Sequence, residues 1–426
     1  MIASGKTSPV SSWYKWEVLA LLWVAFFINQ ADRQVFNVVL PLIKAEFDLN
    51  DVQLGWIATV FNLVYAILVM VAGFAGDLWS KKWILVGSIL FWSVATMLTG
   101  FGTGILSLMI FRSLVGAGEA FFGPSNYSLL AGYHKETRGT AMAIHQTSYY
   151  LGVISSGLVA GYIGQHYGWR NTFYVFGLVG ILHGLVLAWR LKDPPGAAVT
   201  KVEEKVKWTE SLKIIFTTPT ALLLTISFSG LIFVLVGYLT WTPTLLYETF
   251  GMDLTSAGFQ SMVYTHLCAF VGILIAGKLS DVWAVKKAGS RLLIQAAGLL
   301  GAVPFIILMG NATSYLTVYI GLMGFGFCRA FFDANTYPVL FDVIPKRLHA
   351  SASGTMAMVA FSIGSISPVV LGWLKTVFGL STGISLLSIV WVVCGCLMII
   401  AYRFYFKKDR IVEEVEKKQS ASNTGA

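Results

Sequence analysis

The chain has 426 residues, 56% of them hydrophobic and only 12% charged, with a net charge of +9 and a mean hydropathy of +0.72. Soluble domains carry about 25% charged residues, so this composition excludes a soluble enzyme and leaves no room for a separate polar catalytic domain. The expectation is an all-α integral membrane protein. Cys268, Cys328, Cys394 and Cys396 all lie inside apolar runs, and Cys394-Gly395-Cys396 has neither metal-site spacing nor a histidine nearby, so they read as packing residues. No nucleophile–base pair, metal cluster or phosphate loop is legible; neither enzymatic activity nor a cofactor is expected. Energy then comes from an ion gradient or from a solute's own gradient.

Taken in order, the apolar runs predict twelve spans, at about 17–43, 54–76, 83–101, 104–131, 139–164, 171–190, 221–247, 256–280, 291–310, 313–340, 350–376 and 381–406. No small-residue cleavage site follows the first run, which is therefore read as a retained helix. Residues 191–215 open with Lys192-Asp193-Pro194-Pro195-Gly196 and continue with alternating Lys and Glu, the pattern of a cytoplasmic linker. The expected organisation is a six-helix half over 1–190, the linker, a second half over 216–410 and a disordered cytoplasmic tail over 411–426. Twenty-four of the thirty Lys and Arg fall on alternate segments that include both termini. Lys44, Arg170 and Lys375 fall on the opposite loops, and Arg33, Arg112 and Arg329 within spans. That asymmetry predicts both termini in the cytoplasm and a plasma (inner) membrane location, with the basic excess meeting anionic lipid rather than nucleic acid.

Two segments repeat. Gly73-Phe74-Ala75-Gly76-Asp77 with Lys81 and Lys82 after span two returns 204 residues on as Gly277-Lys278-Leu279-Ser280-Asp281, with Lys286 and Lys287 behind. Glu119-Ala120-Phe121-Phe122 with Tyr127 returns 210 residues on as Arg329-Ala330-Phe331-Phe332 with Tyr337. The two halves are thus copies of one unit, and parallel six-helix halves make a transporter architecture with a site at the midplane. Charges inside spans cost roughly 2.5–3.5 kcal/mol each on insertion scales and mark pathways, relays or ligands. Asp32 and Arg33 sit near the middle of span one. Arg112 and Glu119 lie seven residues apart, about two turns and about 10 Å, on nearly one face of span four.

The repeated loop, Gly73, Asp77, Lys81 and Lys82 with Gly277 and Asp281, resembles the signature loop of the major facilitator superfamily. There a glycine permits close helix approach and the aspartate caps and pairs across the cytoplasmic gate. Asn29 to Arg33, Arg112, Glu119 and Gly168-Trp169-Arg170 resemble the anion:cation symporter family, which includes galactonate and hexuronate transporters. Asp32-Arg33, Gly116-x-Gly118-Glu119 and Thr140-Ala141-Met142-Ala143 are also similar to bacterial Spinster-type carriers. Gln30 stands where galactonate-type members often carry a tyrosine, and Leu78 and Ser80 depart from the signature loop.

The resemblance packs span four against span one and implies one buried network of Asp32, Arg33, Arg112 and Glu119. Burial favours a protonated carboxylate and a nearby arginine an ionised one. A carboxylate whose arginine partner moves can therefore load and release protons. The expectation is that Asp32 and Glu119 carry coupling protons, with Arg112 as switching partner and Arg33 as anchor for a substrate anion, which its planar fork binds bidentately. A static salt-bridge cluster is the alternative. Arg329 is either a second anion contact or neutralised by Asp333. Tyr65 matches the family's cavity tyrosine, and Gln30, His145, Gln146, Tyr149, Tyr238 and Trp241 are candidate lining residues. The overall expectation is a monomeric proton-coupled symporter importing a small organic anion, a hexuronate, aldonate or acidic saccharide, by alternating access. A Spinster-like lysolipid carrier and a non-transporting membrane sensor remain as rivals.

Overall fold

The computed structural model describes residues 13–78, 80–134, 136–193, 208–287 and 289–411; positions 194–207 of the expected linker and 412–426 of the expected tail lie outside the described residues. The first half comprises α1 (Tyr14–Phe47), α2 (Asp51–Leu78), α3 (Lys81–Thr99), α4 (Ile105–Ala120), α5 (Phe122–Tyr133), α6 (Arg138–Tyr167) and α7 (Trp169–Arg190). After the amphipathic α8 (Trp208–Thr217) come α9 (Pro219–Phe250), α10 (Leu254–Lys286), α11 (Ser290–Gly310), α12 (Tyr315–Asp333), α13 (Thr336–Val343), α14 (His349–Gly364), α15 (Ser367–Phe378) and α16 (Leu380–Ile400). Among the described residues, ten stretches are long and apolar enough to cross a membrane; α1 and α6, the polar ones, complete twelve spans, with α4–α5, α12–α13 and α14–α15 each forming one.

Those three spans break for one reason. Proline lacks an amide hydrogen and crowds the carbonyl four residues back. Pro124, Pro338 and Pro368 sit four residues after Ala120, Ala334 and Gly364; Ala120 and Gly364 are the last residues of α4 and α14, and Ala334 is the C-cap of α12. Two of the breaks therefore fall just after Glu119 and Asp333, holding those charged turns at the ends of half-helices.

Packing repeats with the sequence. In the first half α1 lies on α6, α2 on α4 and α3 on α7; in the second α9 lies on α14, α10 on α12 and α11 on α16, the equivalent pairs. The halves meet along α6–α10 and α2–α15, with α2–α14 and α1–α9 beside them. Glycines carry the seam at the end opposite the termini. A Cβ on Gly157 would overlap the Gly258 carbonyl, and one on Gly55 would lie 2.6 Å from the Pro368 carbonyl oxygen. A four-charge cluster also closes that end. Lys375 Nζ lies 2.9 Å from Asp51 Oδ1 and 2.7 Å from Glu248 Oε2, and Lys44 Nζ lies 2.7 Å from Asp51 Oδ1. Gln165 Oε1 accepts from the Thr255 amide at 3.1 Å across the same seam. Toward the termini, Gly139, Gly277 and Gly354 have open space where a Cβ would stand, and the equivalent Tyr127 and Tyr337 stay about 40% exposed. The molecule is sealed at one end and open at the other.

Candidate functional site

Below the seal lies a cavity of about 140 Å³, several times the roughly 30 Å³ share of one water. Its first-half wall is mostly polar: Gln30, Arg33, Gln34 and Asn37 of α1, Asn62 of α2, Arg112 of α4 and Tyr149 of α6, with Ala58 and Phe61 of α2 as its apolar part. Its second-half wall is nearly apolar, with Ile232, Leu235, Val236 and Leu239 of α9 and Phe361 of α14.

The four charges of spans one and four form one cluster with a definite pairing. Arg33 Nε donates to Glu119 Oε2 at 2.6 Å, with the arginine side chain 18% exposed and the glutamate 0%. The same guanidinium lies 4.2 Å from the Tyr65 ring centre, so α2 sandwiches it from the other side. Arg112 is instead held by aromatics, 4.3 Å from the Phe61 ring and 5.2 Å from Phe36, and its Nε and Nη1 have no hydrogen-bond partner. Asp32 Oδ2 accepts from Thr96 Oγ1 at 2.6 Å, while Asp32 Oδ1 and Glu119 Oε1 remain unpaired. Glu119's ion-pair partner is thus Arg33, where the sequence pointed to Arg112. The Arg33 and Glu119 side chains, reaching across from α1 and α4, bring residues 86 positions apart into contact, and helical spacing within α4 could not reveal which arginine would be reached.

The remaining candidates separate. Gln30 lines the cavity and donates to Asn29 Oδ1 at 2.8 Å; Tyr149 lines it from α6. Gln146 is exposed on α6. His145 is buried inside the first half, hydrogen-bonded to Asn126 at 3.0 Å and stacked on Phe26 with ring centres 4.8 Å apart. Tyr238 is buried, donating to the Ser261 carbonyl at 2.9 Å against Phe325. Trp241 is buried too, its indole N–H donating to the Pro368 carbonyl at 3.0 Å beneath Lys375. These two serve the second half's interior and the sealed end. Arg329 is buried with its Nε 3.1 Å from Asp333 Oδ2, and its Nη1 is unpartnered.

Of the signature-loop residues, Gly73 and Asp77 lie on α2 and their surroundings lie outside the described side chains. Gly277 makes no close helix approach, and Asp281 faces Arg291 of its own half at 3.4 Å. Lys81 and Lys82 open α3. Ser80 is that helix's N-cap and donates to Asp193 Oδ2, while the Lys82 amide donates to Asp193 Oδ1 at 2.9 Å. The start of the linker is tied to α3, a role for Asp193 that the sequence reading missed. The tryptophan and arginine of Gly168-Trp169-Arg170 clamp one carboxylate: Trp169 Nε1 donates to Glu46 at 2.6 Å and Arg170 Nη1 at 2.5 Å. The Arg170 hydrogen bond holds the Glu46 carboxyl below the usual carboxylate range.

Two pseudo-symmetric six-helix halves around a central cavity define a membrane carrier fold. Residues 22–368 match the model of the Major Facilitator Superfamily, and the chain belongs to that family. It is 27% identical to the probable galactarate/D-glucarate transporter GudP of Bacillus subtilis, covering 89% of each chain. It is 25% identical to that organism's hexuronate transporter, covering 88% of this chain and 91% of the relative. It is also 27% identical to the membrane sensor protein UhpC of Salmonella typhimurium, over 71% of this chain and 72% of that one. Among solved structures, a bacterial homolog of the human lysosomal transporter Spinster superposes with a TM-score of 0.85 at 20% identity, covering 95% of this chain and all of that one.

Proposed function

We propose that this protein is a proton-coupled symporter that imports a small organic anion, a sugar acid of the hexuronate, aldonate or aldarate kind. The observation that carries the reading is the Arg33–Glu119 ion pair at the cavity wall. A proton on Glu119 cancels the charge that holds Arg33, leaving a guanidinium fork free to take a carboxylate. Proton and anion then load together, and loss of either restores the ion pair. Arg112, with unpaired donors beside the same cavity, adds a second positive group, and Asp32 balances it. The named sugar-acid transporters among the relatives support this substrate class. The termini are cytoplasmic and the membrane is the plasma membrane, so the state described here faces inward.

The test is uptake of labelled glucuronate, gluconate and glucarate into proteoliposomes under an imposed proton gradient. Wild type accumulates at least one of them. Glu119→Gln loses gradient-driven accumulation yet retains binding, read as a rise in melting temperature with ligand. Arg33→Ala loses both. Arg33→Ala also leaves Glu119 buried and unpaired, which costs about 3–5 kcal/mol in folding free energy, whereas Glu119→Gln leaves unpaired the more exposed partner, Arg33, which keeps the Tyr65 ring and the cavity beside it, and costs less. Unaltered gradient-driven uptake by Glu119→Gln would overturn the coupling role.

The apolar second-half wall favours a second reading, an amphipathic substrate whose acidic head faces Arg33 and whose tail faces Ile232 and Leu239. Stabilisation by lysolipids alone, with none by sugar acids, would decide for it.

A further inference from the structure

A second recess lies away from the cavity, on the outer surface of the first half between α3 and α4. It encloses about 510 Å³ and is lined by Trp83, Ile84, Gly87, Ser88, Phe91, Ala117, Gly118 and Phe121. Its origin is a gap in a side-chain stripe. Trp83, Gly87 and Phe91 follow one another at four-residue spacing along α3, so the glycine leaves a notch between two aromatic walls. Ala117 and Gly118 of α4 extend the floor. Trp83 is 61% exposed and Phe91 49%, and Val94 and Leu98 continue the exposed stripe along α3. This is a bilayer-facing surface.

The polar end of the recess sets which lipid. Trp83 lies in the first turn of α3, at the membrane–water boundary where amphipathic rings settle. Beside it stand Lys81 and Lys82, with the Lys82 ammonium 4.7 Å from the Trp83 ring centre. Among the described side chains, the Asp193 carboxylate lies near them and is engaged by the Ser80 hydroxyl and the Lys82 amide. An acyl chain gains little by leaving bulk lipid for an apolar groove, because both surroundings are hydrocarbon. Preference must therefore come from the headgroup and from the shape of the notch. We propose that this recess is a binding site for one anionic glycerophospholipid, with its phosphate on Lys82 and Lys81 and an acyl chain across Gly87 between Trp83 and Phe91. The site borders the coupling residues: Ser88 Oγ donates to the Gly118 carbonyl at 2.6 Å, and Gly118 precedes Glu119. An occupant presses on the backbone that carries the Arg33 partner.

The experiment uses the full chain in nanodiscs, with chain-brominated phosphatidylglycerol or phosphatidylcholine titrated into a neutral background. The Trp83 signal is the fluorescence difference between the protein and its Trp83→Phe variant. Brominated phosphatidylglycerol is expected to quench that signal at a several-fold lower mole fraction than brominated phosphatidylcholine. Lys82→Gln should equalise the two. Gly87→Leu, whose added Cβ meets nothing within 4 Å, should fill the notch and remove the phosphatidylglycerol preference at an unchanged melting temperature in detergent. Equal quenching by both lipids in the wild type, or a preference that survives Gly87→Leu, would overturn the site. These readings are independent of any transported substrate.

Discussion

The two ends of this molecule each draw on both halves and behave differently. At the end opposite the termini, backbones touch through glycines and four charges from both halves share one cluster. Toward the termini, glycines at comparable depth have empty space and tyrosines stay exposed. The parallel repeat makes the halves alike at each end and does not relate one end to the other, so the asymmetry lies between the ends and is shared by both halves. Rocking the halves would exchange sealed and open ends about the cavity. The sealed end also shows what holds a state: close packing supplies the fit, and charged pairs at the rim supply a contact that water can replace on opening.

The largest expected effect comes from breaking the packing. Gly157→Leu places a side chain into the Gly258 carbonyl, and overpacking costs typically 1–3 kcal/mol. It should abolish transport and shift the population toward an open far end, read as longer spin-label distances across α6 and α10. An unchanged distance distribution would mean that the seam tolerates separation without a change of state. A smaller effect follows from the charge cluster. Asp51→Asn leaves Lys44 and Lys375 facing each other with only Glu248 between them, and should raise accessibility at the sealed end to a water-soluble thiol reagent. Asp51→Glu, which keeps the negative charge that both lysines face, should retain the closure; equal accessibility in Asp51→Glu and Asp51→Asn would mean that the charge cluster does not hold this end.

The smallest effect is at the rim, where Glu46 meets Arg170. Its carboxyl titrates lower in the folded chain than in the unfolded one. The stabilisation is therefore present above the ordinary carboxylate pKa of about 4.3 and is lost as pH falls through the lower folded value. For a pair this exposed it amounts to about 0.2–1 kcal/mol. Glu46→Gln should lower the melting temperature slightly at neutral pH and not at strongly acidic pH.

The spans and the repeat were legible because apolar length and duplicated motifs are local properties of the chain. The four buried charges were legible because charge is expensive in a membrane wherever it points. Which arginine meets Glu119 was not, since α1 and α4 come together only in three dimensions. Tyr238 and Trp241 illustrate a second blindness. α9 is apolar around most of its circumference, so nothing in its pattern marks the cavity side, and their polar atoms bond to backbone carbonyls of the second half. Lys44 and Lys375 read as exceptions to a charge bias. Their partners Asp51 and Glu248, on similarly placed loop ends, were the available signal that those exceptions have work at the rim.

The proline breaks after Ala120, Ala334 and Gly364 have a mechanical consequence. A continuous helix transmits bending along its whole length, but a missing backbone hydrogen bond uncouples the segments on either side. Spans four, ten and eleven are each a pair of levers on a common pivot, and in spans four and ten the pivot sits one turn or less from Glu119 and Asp333. The segments nearer the termini can swing through a large arc while the charged turn barely moves, so a wide opening at one end need not scatter the few groups that must stay in register at the centre.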